Sequence, residues 1–412
     1  MKPFDIIIAG GGMAGATAAI ALAKLNLNIA LVEPIKPELD TSPSFDQRAV
    51  ALSAASVSIF KTLGIWQKIK ELGCPITDIH VSDQGNFGFA RLKASDYKID
   101  ALGQVIPLDQ TGPILWQMIK ETKNIELICP ATITGVDSLE SQKNKRSVNV
   151  TLEDNGDEKQ LSAKLLLAAD GTFSSIANLS SIQTTRTPYD QHAVITNIST
   201  ELPHKNRAFE RFTKNGPLAL LPLTQNRMSL VWCQREANLE TVMNYDDSQF
   251  IEKLQQEFGY RLGQITKVGK RDQYPLSLHL PSELFNGRIL LLGNAAHTLH
   301  PIAGQGFNIG LRDIAALFDS IQNAIDNGID IGCELFLTGY QEQRQPDRDL
   351  TVTATDSLAR LFSNDFLPLI IARNKGLSLI NKFPFAKKQL AMAAMGFHGE
   401  SAQLTRGIGL DN

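Results

Sequence analysis

The chain has 412 residues, which at about 150 residues per domain predicts two or three domains, and its 43% hydrophobic and 20% charged residues exclude a disordered chain. Its 40 basic and 43 acidic residues give a net charge of −3, which argues against a general nucleic-acid-binding protein. The four cysteines form no CxxC pair, which argues against a disulfide framework and against a thiolate zinc site, so no metal is expected.

The amino-terminal 33 residues predict a βαβ unit. Residues 6–9 are a continuous apolar run, typical of a strand buried on both faces of a parallel sheet. A glycine cluster follows, residues 13–25 have helical periodicity, and Ile29–Val32 is a second apolar run. The first run is too short for a signal peptide, and no uncharged apolar stretch reaches the about 18 to 20 residues that span a bilayer, so we expect a cytoplasmic protein.

The middle of the chain predicts a second, mostly antiparallel β layer. A helix is predicted over Asp247–Phe258, and the pattern then reverts to a buried strand at 289–292, a glycine-rich turn and a helix from about residue 306. The nucleotide-binding part of the chain is thus predicted to be interrupted by the β layer and then resumed. The short alternating segments of that layer are 194–198, 208–213, 218–223 and 228–233.

The first glycine cluster is a GxGxxG motif that follows a strand and opens a helix. Gly10 permits a tight turn, Gly12 lets a pyrophosphate approach the backbone, and Gly15 allows the helix to pack closely on the sheet. The helix start offers unpaired N–H groups to phosphates, and Glu33, at the end of the next strand, can accept hydrogen bonds from ribose hydroxyls. The alternative is an ordinary glycine-rich turn of an α/β protein. The predicted dinucleotide contacts are Gly10, Gly12, Met13, Ala14, Gly15 and Glu33.

Two further motifs also follow predicted strands. Asp170 and Gly171 come after an apolar strand, where an Asp-Gly pair taken alone is an ordinary turn. The third motif begins at Gly293 and Asn294 and continues through a glycine-rich loop into a helix, where converging N–H groups suit an anionic ring edge or a phosphate. The candidate residues of this loop are Pro301, Gly304, Gln305, Gly306, Phe307 and Asn308.

The three motifs in this order resemble those of the flavoprotein aromatic hydroxylases (group A monooxygenases, of the para-hydroxybenzoate hydroxylase fold), and the resemblance covers essentially the whole chain. More narrowly, the chain resembles the ubiquinone-biosynthesis hydroxylases. The stretches that carry this narrower resemblance are 45–53, 80–83, 102–105 and 293–308. The stretches that resemble the branch acting on 2-octaprenyl-6-methoxyphenol are 207–213, 232–233 and 274–276.

The resemblance implies an α/β fold in which a mostly antiparallel β-sheet substrate domain interrupts a Rossmann-like FAD-binding domain, a βαβ fold with three-layer packing. C-terminal helices are expected in addition. The expected boundaries are 1–74, 101–180 and 272–350 for the FAD-binding domain, 75–100 and 181–271 for the substrate domain, and 351–412 for the C-terminal helical segment.

The resemblance also implies how FAD is held. Its pyrophosphate is expected on residues 12–15 and its ribose on Glu33. Arg48 is expected to bridge the phosphate–ribose region, and Gln104 to hold FAD from the next element. The helix start at 304–308 is expected to meet the negative charge on the N1–C2=O edge of the reduced flavin.

Two positions depart from the family pattern. The family usually has Gly-Asp in the third motif, whereas this chain has Gly293-Asn294, whose amide can still bond a hydroxyl but carries no charge. Asp170-Gly171 is expected to support both the flavin and the nicotinamide cofactor. Many relatives have an arginine a few residues later, and residues 174–177 contain none, which leaves the nicotinamide-phosphate contact open.

The expected reaction follows from the family's chemistry. NAD(P)H, as a transient reductant, reduces FAD; O2 then forms a flavin C4a-hydroperoxide, and an electron-rich phenol receives one oxygen atom. The expected substrate is a polyprenylated phenol of ubiquinone biosynthesis, a ubiquinone biosynthetic complex is a candidate partner, and no nucleic acid is expected. His300 is the candidate base for phenol deprotonation, with a structural histidine as the alternative. The alternative function is a non-catalytic FAD-binding or prenyl-lipid-carrying module. Purified protein that does not oxidise NAD(P)H would favour this alternative.

The segment 366–399 has a local charge bias. Its apolar residues, together with basic residues and no acidic one, predict a peripheral contact with the inner face of a membrane. The alternative is a helix pair packed on the FAD-binding domain or on a second subunit. The basic residues are Arg373, Lys375, Lys382, Lys387 and Lys388.

Overall fold

The structure, a computed structural model, describes residues 3–36, 48–137, 146–154, 156–362, 374, 376, 383–397 and 402–407. The strands are β1 (Phe4–Ala9), β2 (Ile29–Val32), β3 (Ala49–Ser53), β4 (Cys74–Ile76), β5 (Asp78–Asp83), β6 (Phe89–Lys93), β7 (Gly103–Pro107), β8 (Ile125–Ile128), β9 (Ala131–Val136), β10 (Val148–Asp154), β11 (Asp157–Ala168), β12 (Thr184–Thr200), β13 (Arg207–Thr213), β14 (Gly216–Pro222), β15 (Arg227–Arg235), β16 (Ile265–Val268), β17 (Asp272–Pro281), β18 (Phe285–Asn286) and β19 (Ile289–Leu291). The helices are α1 (Met13–Ala23), α2 (Ala54–Thr62), α3 (Trp66–Ile69), α4 (Leu108–Glu121), α5 (Ser175–Leu179), α6 (Glu236–Asn244), α7 (Asp247–Phe258), α8 (Gln305–Asp326), α9 (Glu334–Phe362), α10 (Pro384–Ala394) and α11 (Gln403–Arg406).

The first sheet contains the predicted nucleotide-binding strands. Its order is β18-β19-β11-β1-β2-β8, and the pairs from β19 to β8 are parallel. Successive side chains of a strand point to opposite faces, and Ile6, Ile7 and Ile8 are all fully buried, so both faces of the sheet are covered at β1. Helices α1 and α8 pack against each other in the same hydrophobic core. The continuous apolar run of β1 thus suits a strand covered on both faces, and the expected α/β fold is confirmed.

The strand order places the three motif loops at one edge of the first sheet. Strand β1 lies between β2 and β11, and the chain order of the strands reverses at this point. In such sheets ligands bind beyond the carboxyl ends of the strands beside the reversal. Gly10 follows β1, Asp170 follows β11, and Gly293 follows β19.

The second sheet covers this edge and is mostly antiparallel, as predicted. Its order is β16-β12-β15-β14-β13-β5-β6, with β17 also paired to β12. One face packs on α7, where Trp232 lies 5.5 Å from Phe250 between ring centroids. On the other face Phe212 packs with Ile302, which lies in the turn that leads into α8. The second sheet therefore contacts the third motif loop.

The structure adds two details to the predicted domain division, which stays a prediction. Strands β3, β7 and β4 form a third, small sheet. Strand β17 pairs with β12 as far as Pro281, which favours a boundary after this residue rather than at 271–272.

The C-terminal region is described in part. Helix α10 packs on the rest of the protein through Ala391 and Met395, which are buried with Leu92 and Leu102. Lys375 and Lys382 lie outside the described residues. Within the described part of the chain, no helix is long and apolar enough to cross a membrane.

Candidate active site

The first loop is shaped by three glycines with different roles. Gly10 has a φ of +99°, and a Cβ there would lie 2.5 Å from the carbonyl oxygen of Ala169. A Cβ on Gly15 would lie 1.9 Å from the carbonyl oxygen of Gly10, so only glycine fits where α1 crosses the strand end. A Cβ on Gly12 would meet nothing within 4 Å. The loop is therefore closely packed behind Gly12 and open in front of it.

The amino terminus of α1 has the groups that a pyrophosphate needs. The first N–H groups of a helix have no partner within the helix, and they carry a partial positive charge. Gly12, the N-cap, provides no side-chain hydrogen bond, and the first turn contains no acidic residue. These donors and the open space at Gly12 fit the phosphates of a dinucleotide.

Glu33 lies beside this loop at the end of β2. Its Oε2 accepts a hydrogen bond from the Gly11 N–H at 2.6 Å, and its Oε1 accepts one from the Ile35 N–H at 3.0 Å. The Trp116 Nε1–H donates to the Gly11 carbonyl oxygen at 3.0 Å. The sequence analysis missed Trp116, because nothing in its local pattern marks it as more than a helix residue of α4.

The second loop presents a buried carboxylate oxygen. Asp170 Oδ2 accepts hydrogen bonds from the Ile176 N–H at 3.1 Å and from the Ser175 hydroxyl at 3.2 Å, at the start of α5. Its Oδ1 is buried and has no hydrogen-bond partner among the described residues. Gly171 has a φ of +94° and open space where a Cβ would be. An acceptor in this position fits a hydroxyl of the expected cofactor.

The third loop touches both of the others. Gly293 has a φ of +61°, and a Cβ there would lie 2.9 Å from the Cβ of Ala14 on α1. The Thr298 hydroxyl lies 3.0 Å from the Thr172 hydroxyl of the second loop. The side chain of Asn294 is exposed. The three motifs, far apart in sequence, therefore form one continuous surface.

The third loop ends where α8 begins. Pro301 is half-buried, and Gly304, the N-cap of α8, has a φ of +59° and provides no side-chain hydrogen bond. The first turn, with Gln305 and Gly306, contains no acidic residue, and Phe307 packs edge-on against Phe60 with ring centroids 6.4 Å apart. The amino terminus of a helix carries a partial positive charge, which suits an anionic ring edge.

Asn308 differs from its neighbours because the protein itself uses its amide. The Nδ2 group donates to the carbonyl oxygens of Ala51 and Gly304 at 2.8 and 2.7 Å. The Oδ1 atom accepts from the Ser53 N–H at 2.8 Å and from the Ser56 hydroxyl at 2.7 Å. This buried side chain therefore fixes the start of α8 to β3 and α2, and the structure gives it a positioning role.

Arg48 and Gln104 belong to the small third sheet and its edge. The guanidinium carbon of Arg48 lies 4.9 Å from the ring centroid of Tyr274 on β17. Gln104 is half-buried on β7, where it pairs with Leu52 of β3. Their expected contacts with FAD stay predictions.

His300 and His297 are buried beside the third loop. The Nε2 atom of His300 lies 3.1 Å from Gln191 Oε1, and its Nδ1 accepts a hydrogen bond from the Ile302 N–H at 3.4 Å. Burial lowers the pKa of both histidines to about 4, so both rings are neutral near pH 7. Because both nitrogens of His300 have protein partners, the geometry favours the structural alternative, and catalysis by His300 stays a prediction.

A buried ion-pair network joins α8 to α9. Arg312 Nε and Arg344 Nη2 contact Asp347 Oδ2 at 2.8 and 2.6 Å, and Arg344 Nε contacts Asp313 Oδ1 at 2.6 Å. Burial raises the pKa of Asp347, but Arg312 and Arg344 outweigh this effect and hold it at about 2. The sequence analysis missed this network, because it joins α8 to α9 and no local pattern predicts such a pairing.

Comparison with known proteins agrees with this geometry. A family model described as an FAD binding domain matches residues 3–351. The ubiquinone hydroxylase UbiL of Rhodospirillum rubrum is 31% identical over 99% of this chain and 94% of its own length. The 3-demethoxyubiquinol 3-hydroxylase of Escherichia coli is 29% identical over 96% of this chain and 99% of its own length.

A solved structure shows the same fold. The p-nitrophenol 4-monooxygenase PnpA of Pseudomonas putida has a TM-score of 0.78 at 16% identity, with 98% of this chain and 100% of that chain covered. The family model and the sequence relatives, together with the open space at Gly12, establish the family and its cofactor. The chain belongs to the FAD-binding-domain family of flavoproteins, and FAD is its cofactor.

Proposed function

We propose that this protein is an FAD-dependent, NAD(P)H-consuming aromatic hydroxylase that inserts one oxygen atom from O2 into a polyprenylated phenol during ubiquinone biosynthesis. The observation that supports it most is the convergence of the three loops on one surface, covered by a second sheet that can hold a ring. The names of the Rhodospirillum rubrum and Escherichia coli relatives support the ubiquinone pathway. No comparison supports the alternative, a non-catalytic FAD-binding or lipid-carrying module.

The residues of this chain would bind and orient the cofactor. When bound, FAD supplies the redox chemistry between NAD(P)H, O2 and the ring. The start of α1 and Glu33 would hold its pyrophosphate and ribose, and Asp170 Oδ1 would accept a hydroxyl. The start of α8 would stabilise negative charge on the flavin ring, and the second sheet would exclude water from the reacting atoms.

For the ring position we propose the step that acts on a phenol of the 2-octaprenyl-6-methoxyphenol type. A strain without this protein is expected to accumulate the phenol that lacks one ring hydroxyl, measured by mass spectrometry of its lipid extract. The purified protein with NAD(P)H should then convert that phenol. A strain that accumulates no such precursor would contradict the function, and a precursor at the sister ring position would correct the step alone.

We also propose a peripheral membrane contact through α10, because a polyprenyl phenol resides in the bilayer. One face of this helix is buried, whereas Phe385 is 76% exposed and Phe383, just before the helix, is 58% exposed. Lys388 is exposed beside them, but Lys387 is paired with Asp96 at 2.7 Å. Exposed aromatic rings next to a lysine are typical of a surface that enters a headgroup layer.

The membrane contact predicts a specific binding defect. The double variant Phe383→Ser, Phe385→Ser should bind vesicles with anionic lipids several-fold more weakly in a flotation assay, because it loses the exposed rings. The control is Leu335→Ser, which removes a 77% exposed leucine on α9. Equal vesicle binding by the double variant and by Leu335→Ser would contradict the membrane contact and favour a packing role for α10.

A further inference from the structure

Strand β13 places Glu210 on the face of the second sheet that meets the third loop. Successive side chains of a strand point to opposite faces. Arg211 Nε donates to the Glu257 carbonyl oxygen on α7 at 2.8 Å, which assigns one face to the helix side. Phe212 packs with Ile302 in the turn before α8, which assigns the other. Glu210 alternates with Arg211 and therefore lies on the same face as Phe212, towards the third loop.

The neighbours of Glu210 on this face are apolar and incompletely covered. Val81 of β5 and Ala219 of β14 stand directly opposite it, and Val231 of β15 stands opposite Ala219. All of them are partly exposed, although the sheet is covered on both faces. This part of the face is therefore less completely covered than a core, and its apolar side chains suit contact with an aromatic ring.

The carboxyl group of Glu210 has no evident structural task. Its Oε1 atom is buried and has no hydrogen-bond partner among the described residues. Burial raises the pKa of Glu210 to about 7. An unpaired polar group of this kind costs free energy, and such groups concentrate where a ligand supplies the partner.

Other side chains connect this face to the third loop. A Cβ on Gly216 would lie 2.9 Å from the Cβ of Cys233 and 3.2 Å from Gln191 Nε2. Gln191 in turn contacts His300, which lies in the third loop between Thr298 and Pro301. The pKa of the Cys233 thiol on β15 is raised, mainly by burial and to a smaller extent by the nearby charge of Glu210. Within the part of the chain that the structure describes, burial alone shifts the pKa of Glu210, and no cation counteracts the shift.

We propose that Glu210 is the residue that receives the ring hydroxyl of the substrate and takes its proton. This role rests on the proposed function. The phenol O–H bond breaks, the proton passes to a carboxylate oxygen of Glu210, and the electron pair stays on the ring oxygen. The ring thereby becomes richer in electrons at the moment when it accepts an oxygen atom, which is the step that a general base assists.

The role predicts a pH dependence with a definite sign. Below about pH 7 the Glu210 carboxyl holds its own proton, so it cannot accept another. Product formation by the wild-type protein should therefore fall as the pH drops through about 7, and this acid limb should be absent in Glu210→Gln. A purely structural carboxyl would leave the profile of the variant like that of the wild type.

The role of Glu210 is tested by comparing Glu210→Gln and Glu210→Ala with Glu158→Gln, which changes an exposed glutamate of β11. Flavin content and the midpoint of thermal unfolding should stay at wild-type levels in all three, which shows that they fold. With the polyprenyl phenol, both Glu210 variants should lose about 100-fold to 10,000-fold in product formation, the usual contribution of a general base. Added formate should partly restore product formation in Glu210→Ala, because a small carboxylate can occupy the vacated space.

The outcomes separate the two levels of the proposal. Wild-type rates and an unchanged pH profile in both Glu210 variants would overturn the role of Glu210 and leave the hydroxylase function intact. A wild-type protein that forms no hydroxylated product would overturn the function, and this role with it. Loss of flavin from both variants would also overturn the role, because Glu210 would then support the cofactor site.

Discussion

Gly12→Val is expected to fold and to lose FAD. The φ of Gly12 is −66°, which any residue adopts, and a Cβ there meets no protein atom within 4 Å. The added side chain would instead occupy the space in which the pyrophosphate approaches the start of α1. We expect FAD affinity to fall by at least about 100-fold, or about 2.8 kcal/mol, measured by flavin absorbance after refolding with FAD.

Two comparisons make this result specific. Gly339→Val on α9 is the matched control, because a Cβ there also meets nothing within 4 Å, and it should retain full flavin. Gly15→Val should fail to fold, because its Cβ would lie 1.9 Å from the Gly10 carbonyl oxygen. Full flavin content in Gly12→Val would contradict the assignment of the pyrophosphate site to Gly12 and the start of α1.

Glu33→Ala is expected to weaken FAD binding by about 1.5 to 3 kcal/mol, the range for hydrogen bonds that involve a charged group. In the structure its carboxylate accepts the Gly11 and Ile35 N–H groups, so it holds the first loop as well as offering acceptors to a ribose. Titration of the apoprotein with FAD measures the change.

Glu126→Ala is the control for Glu33, because Glu126 is an exposed acid on the neighbouring strand β8. Glu33→Gln keeps one acceptor and should fall between the wild type and Glu33→Ala. Unchanged affinity in Glu33→Ala would mean that this acid serves the loop alone.

The bounds of helices and strands can be predicted from the local hydrophobic pattern where an element is buried on both faces or along one clear stripe. The strand at Ile29–Val32 and the helix at Asp247–Phe258 agree with the prediction residue for residue, because one lies between two covered faces and the other has a clear apolar stripe. Strand β12 extends well beyond the predicted 194–198, over Thr184–Thr200. Its first residues are polar and exposed, and their pairing with β17 depends on tertiary context rather than on alternation.

Some residues of the site are likewise marked by a local sequence pattern, whereas others are revealed only by the tertiary structure. Glycines mark the three loops in the sequence. Gly10, Gly171, Gly293 and Gly304 have positive φ values that favour glycine, and Gly15 has no room for a Cβ. Glu210 carries no such mark, because a glutamate in an alternating strand is ordinary until its face is known. The pairing of Arg312 with Asp347 joins two helices, so no local pattern predicts it. Asn308 shows the converse, since a residue beside the cofactor loop uses its amide to fix the backbone.

The most direct test follows the oxygen atom. The purified protein, loaded with FAD, is supplied with NAD(P)H, a polyprenylated phenol and isotopically labelled dioxygen, and the product is analysed by mass spectrometry. We expect a phenol with one additional hydroxyl whose oxygen carries the label, formed only when NAD(P)H is present. NAD(P)H oxidation that yields no labelled product, or a product whose new oxygen comes from water, would contradict this expectation.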